Sequence, residues 1–114
     1  MRILIFILIF SFEAKTDEIK DIELSAELLA FAEYGSKSSW SESDVIRVER
    51  MVSEFSDLDL KEIWISNVIT YALMGNLPKY PSNAMCKIAK RNISKLRDKD
   101  MKSLWDINYG LYGC

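Results

Sequence analysis

The chain has 114 residues, of which 49% are hydrophobic and 28% charged, and a formal net charge of −2. That length fits one domain, and the balance is that of a folded protein rather than a disordered one. Four glycines and two prolines are too few for the many turns of a β-sandwich, and the absence of histidine removes the commonest general base and the commonest metal ligand together.

The chain begins MRILIFILIFSFEA. Arg2 is followed by an unbroken apolar run at residues 3–10, which Ser11 and Phe12 extend. A run of this size suits the core of a signal peptide and is too short to span a bilayer. Ala14 is the expected cleavage position. Residues 1–14 therefore read as a signal peptide and residues 15–114 as a single helical domain; a buried N-terminal strand or helix is the competing reading. Export to the periplasm or beyond is the implied localisation. No later segment reads as a transmembrane span, since the most apolar one, residues 63–74, is too short.

The next stretch, TDEIKDIELSAELLAFAEYG, carries acidic residues in its first turns, as a helix N-terminus prefers. Ile22, Ala26, Leu28, Leu29 and Phe31 are its expected apolar side, and Gly35 its expected stop. A polar connector holding Trp40 follows. Ser41 and Asp44 have the spacing of a capping box, and a second helix then places Val45, Val48, Val52 and Phe55 on one face. Asp59, with Glu62 three residues on, is the expected N-cap of a third helix. That helix is apolar almost all round, so it is expected at the centre, with Ile63 intolerant of a charge. Gly75 ends it.

Both prolines lie in the loop NLPKYPS, where Ser82 can cap the fourth helix. Met85, Ile88, Ala89, Ile93 and Leu96 are expected inside, with Lys87, Lys90, Arg91 and Lys95 on the other side. The last helix places Met101, Leu104, Trp105, Asn108 and Leu111 at helical spacing. The fold class is all-α: a small bundle of about five helices after a signal peptide.

Cys86 and Cys114 are the two cysteines. In an oxidising compartment one intramolecular disulfide is expected between them, tying the last helix to the one before it. An intermolecular bridge through the terminal thiol and a free cysteine are the alternatives.

No nucleophile elbow, P-loop, dinucleotide fingerprint or zinc-protease motif occurs, and the serines have no histidine to activate them. Glu42 and Asp44 sit at a helix start, where capping accounts for them. No catalytic residue, metal ligand or cofactor is assigned, and the chain reads as non-enzymatic. Asn92 begins an N-I-S sequon, read as a chance occurrence.

Charge is unevenly shared. Residues 15–60 hold 5 basic and 12 acidic side chains, and residues 61–114 hold 9 and 4. The basic stripe Lys87, Lys90, Arg91 and Lys95 has the chemistry to meet an acidic protein surface, or the acidic half of its own chain. Nucleic acid is not an expected partner of an acidic, exported protein. Trp40 and Tyr80 fall in connectors and are the candidate interface anchors.

The segment NVITYALMGNLPKYPSNAMCKIAK, followed by a short amphipathic helix and a C-terminal cysteine, resembles the Rap/Tai-type periplasmic immunity proteins of type VI secretion. The resemblance covers about the second half of the chain. It differs from that pattern in its short inter-cysteine segment, in lacking a proline beside each cysteine and in having no early cysteine. It implies inhibition of a peptidoglycan-cutting toxin by occlusion, with no catalytic residues. The functional expectation is thus an exported binding protein, monomeric or homodimeric, that acts as an immunity protein or inhibitor. A small secreted helical carrier of a lipid or other apolar ligand, its cavity lined by residues 63–74, is the alternative.

Overall fold

In a computed structural model of the protein, the described residues are 2–34 and 39–114, with side chains at 16–32 and 39–114. Among them five α-helices follow one another, and there is no strand: α1 (Arg2–Leu29), α2 (Glu42–Val52), α3 (Leu58–Met74), α4 (Asn83–Ile93) and α5 (Lys99–Leu111). A π-helical turn, Ala30–Tyr34, continues α1. The backbone of residues 2–14 belongs to α1, which runs unbroken through them. The side chains of residues 3–10 and of Ala14, and the expected stop at Gly35, lie outside the described residues.

The core is built by α2, α3 and α4. Val45, Val48, Val52 and Phe55 are buried, as the spacing predicts, and meet Met85, Ile88, Ala89, Ile93 and Leu96 from α4 and its C-terminal turn. Helix α3 lies between these neighbours and buries Trp64, Ile65, Val68, Ile69, Ala72 and Leu73. At 3.6 residues per turn those six positions cover about half of its circumference. The remainder is mostly half-buried, but Ile63 points out and is 59% exposed. The expectation that Ile63 is enclosed is therefore corrected: the apolar composition of α3 exceeds what its neighbours cover.

Local chemistry sets the helix starts. Ser41 and Asp44 form the expected capping box, each side chain accepting the other's backbone N–H at 3.0–3.1 Å. Ser82 accepts the N–H of Met85 and starts α4. For α3 the cap is Asp57, not Asp59: its carboxylate accepts the N–H groups of Asp59 and Leu60. Asp59 and Glu62 are used across the fold instead. Glu62 accepts the backbone N–H of Arg97 at 2.9 Å, and Asp59 pairs with the Arg97 guanidinium at 3.1 Å. Together they pin the α4–α5 connector to the start of α3.

The two outer helices are attached differently. On α1, Leu24 and Leu28 enter the core, and beside them Asp21 is buried. Its two carboxylate oxygens accept the N–H groups of Ser56 and Asp57, each at 2.8 Å, so one side chain clamps α1 to the α2–α3 connector. The buried side of α1 is thus Asp21, Leu24 and Leu28, with Phe31 half-buried; the expected inner residues Ile22, Ala26 and Leu29 face out.

Helix α5 buries no residue completely. It rests on the core through half-buried Trp105, Tyr109 and Tyr112. Its end is a Schellman motif: Gly113, at φ 86°, donates to Gly110 and Cys114 donates to Tyr109. The positive φ needs glycine at 113 and delivers Cys114 to Cys86, with the Cα atoms 5.6 Å apart. The disulfide is intramolecular, as expected, and no free cysteine remains.

Candidate partner-binding surfaces

Packing of Met85, Ile88, Ala89 and Ile93 turns Lys87, Lys90, Arg91 and Lys95 to the outside of α4 and its C-terminal turn, all four exposed. The stripe is nevertheless divided. Arg91 reaches Glu49 of α2 with two parallel bonds, from Nε at 2.7 Å and from Nη2 at 2.5 Å. Lys95 Nζ lies 3.6 Å from the same carboxylate. Asn92 completes the group: its Nδ2 donates to Glu49 at 2.6 Å and to the carbonyl of Ile88 at 2.8 Å. Burial pushes the Glu49 carboxyl up, but the hydrogen bonds from Arg91 and Asn92 and the charges of Arg91 and Lys95 outweigh it and hold the carboxyl below its ordinary value. The bond to Glu49 raises the Arg91 guanidinium in turn. Among the described residues, Lys87 and Lys90 make no ion pair. Half of the stripe therefore pairs with Glu49 from the acidic half of the same chain, and half is open. The sequon at Asn92 is closed off, because its side-chain nitrogen is buried and committed to two acceptors.

The two connector aromatics part company. Trp40 is only 7% exposed. Its ring stacks on Tyr71 at 4.2 Å and meets the edge of Phe31 at 5.9 Å. Its backbone N–H donates to Asn76 Oδ1, and Asn76 Nδ2 donates back to its carbonyl. A Cβ on Gly75 would lie 2.6 Å from its Cδ1, so glycine at 75 makes room for the indole as well as ending α3. Trp40 is a core residue that latches its connector, and no anchor for a partner. Tyr80 stays exposed, at the rim of an open groove it shares with Ser41, Glu42, Lys79 and Ser82.

The expected inner residues of α5 are also redistributed. Trp105 is half-buried, and Asn108 with it, while Met101, Leu104 and Leu111 are exposed. Ile107, not singled out by spacing, joins them. Leu104, Ile107 and Leu111 form one outward row, with Ile107 63% and Leu111 72% exposed. Beside α3, a cleft of about 310 Å³ has an apolar floor at Val52 and Ile65 and a charged rim of Glu49, Lys61, Lys95 and Arg97. Among the described residues no group of three His, Cys, Asp or Glu side chains is placed to hold a metal ion, and no helix is long and apolar enough to cross a membrane.

No protein-family model, curated protein or solved structure matches the chain.

Proposed function

We propose that the chain is an exported, non-enzymatic protein-binding domain that acts by occlusion, an immunity protein or inhibitor of a toxin or cell-wall hydrolase being its most concrete form. The outer row of α5 carries this reading. Leu104, Ile107 and Leu111 are each more than half exposed, while the opposite side of the same helix rests on the core. A contiguous row of exposed apolar side chains suits a surface that a partner covers. The Cys86–Cys114 bridge adds support, because a row held in place by a covalent tie loses less freedom on binding. Lys87 and Lys90 supply open positive charge for steering toward an acidic partner surface, with Tyr80 as the remaining aromatic anchor. Arg91 and Lys95 contribute less, being held by Glu49.

The test is protection. The full chain, leader included, is expressed in a bacterial periplasm together with the product of the gene adjacent to its own. The wild type is expected to relieve toxicity, and Leu104→Asp with Leu111→Asp is expected to lose that relief with an unchanged thermal melt. Full protection by the double variant would remove α5 from the interface and the reading with it.

A further inference from the structure

Helix α1 carries a second uncovered apolar surface, of different chemistry from the row on α5. Ile19, Ile22, Ala26 and Leu29 lie opposite the buried Asp21, Leu24 and Leu28. Ile19 and Ile22 are each more than half exposed. Their spacing is three, four, three, the a/d alternation that fits one helix against another. The flanking positions are acidic: Glu18 precedes Ile19, and Glu23 follows Ile22, with Glu27 further round. None of these three carboxylates has a hydrogen bond or ion pair among the described residues. A cleft lined by Asp17, Glu18, Ile22, Asp57 and Leu60 extends the same mixture toward α3.

We infer that this face of α1 docks a basic amphipathic helix of a partner protein, its apolar residues on the Ile19–Leu29 seam and its lysines or arginines against Glu18, Glu23 and Glu27. The spacing selects a helix, and the uncompensated carboxylates select its charge. A second copy of this chain fits poorly. From residue 16 to 29 the helix has five carboxylates and one lysine, and in a parallel pair Glu18 would lie across from Glu23 of the other copy. The inference rests on the protein-binding reading, but its experiment reads α1 alone. Failure here leaves the α5 row standing, and failure of the protection assay leaves this seam standing.

The probes are two synthetic helical peptides of about three heptads, both with leucine at a and d, one with lysine and one with glutamate at e and g. Each is titrated by fluorescence anisotropy into the full-length domain in low salt. The lysine peptide is expected to bind and the glutamate peptide not. Ile22→Ser is expected to weaken the lysine peptide by roughly tenfold or more. Glu18→Lys with Glu23→Lys is expected to reverse the preference. All these positions are on the outside of α1, and circular dichroism is expected to be unchanged. Three results would overturn the inference: no binding of the lysine peptide, binding indifferent to Ile22→Ser, or self-association in sedimentation that Ile22→Ser abolishes.

Discussion

Helix α3 buries six of its side chains, and α5 buries none, although both are rich in apolar residues. The difference lies in what surrounds them. Helix α3 has α2 and α4 as neighbours, so packing alone fixes which side chains face in. Helix α5 leans on α4, and its position is set by a disulfide at one end and by the Arg97 hold on Glu62 at the other. Tied at its ends, α5 rests on the core through Trp105, Tyr109 and Tyr112, and Leu104, Ile107 and Leu111 are left facing outward. Helix α1 follows the same logic, with the Asp21 clamp in the place of the disulfide.

The largest expected loss lies within α3. Val68→Asp would strand an unpaired charge in the core, at a cost of about 3–5 kcal/mol, enough to unfold a small domain. Ile63→Asp, five residues earlier on the same helix, is expected to cost about 0.5 kcal/mol or less, because that side chain already faces water. Urea unfolding of the two variants distinguishes them, and equal losses would mean that α3 is enclosed on all sides.

Cys114→Ser comes next, with an expected loss of about 2–5 kcal/mol. The loss should be local in character: amides of α5 should exchange with solvent before those of α3. Uniform acceleration of exchange would show that α5 is an integral part of the core.

Glu49→Ala removes the acceptor shared by Arg91, Lys95 and the buried Asn92, and is expected to cost about 1.5–3 kcal/mol near neutral pH. The sign with pH follows from the direction of its shift. The folded carboxyl lies below its usual value near 4.5, so its contribution is complete above that pH. It is lost as pH falls through the lower folded value. The stability gap between wild type and Glu49→Gln should therefore narrow on acidification below about 4.5, and a gap independent of pH would contradict the assignment.

Leu104→Ser is the mildest change for the fold, within about 0.5 kcal/mol of wild type, since it removes an apolar group from water rather than from the core. A large loss of melting temperature would place Leu104 itself against something in the free protein.

Where a residue's role is decided within a few positions of chain, it was legible in advance. Ser41 with Asp44, Ser82, the inner faces of α2 and α4, and the glycine that ends α3 all belong to this class. The disulfide was legible because two cysteines allow one intramolecular pairing. The rest was decided by partners far along the chain. Asp57 caps α3 where Asp59 has much the same local credentials, and Asp59 instead meets Arg97, 38 residues on. Trp40 is drawn into the core by Asn76 and Tyr71. On α1 and α5 apolar residues occupy both sides, so periodicity cannot choose the inner one. A buried aspartate chooses it on α1, and the seating of Trp105, Tyr109 and Tyr112 chooses it on α5. The exposed apolar rows are the sides left over. The basic stripe was legible as a stripe, but its division between Glu49 and solvent depended on how α2 crosses α4.

On the proposed reading the outer row of α5, rather than the basic stripe alone, meets the partner. Hydrogen exchange of the whole chain, free and mixed with the product of the adjacent gene, tests it most directly. Slowed exchange throughout α5, with α3 unchanged, is the expected result. Protection confined to α4 around Lys87 and Lys90, with α5 unaffected, would contradict it.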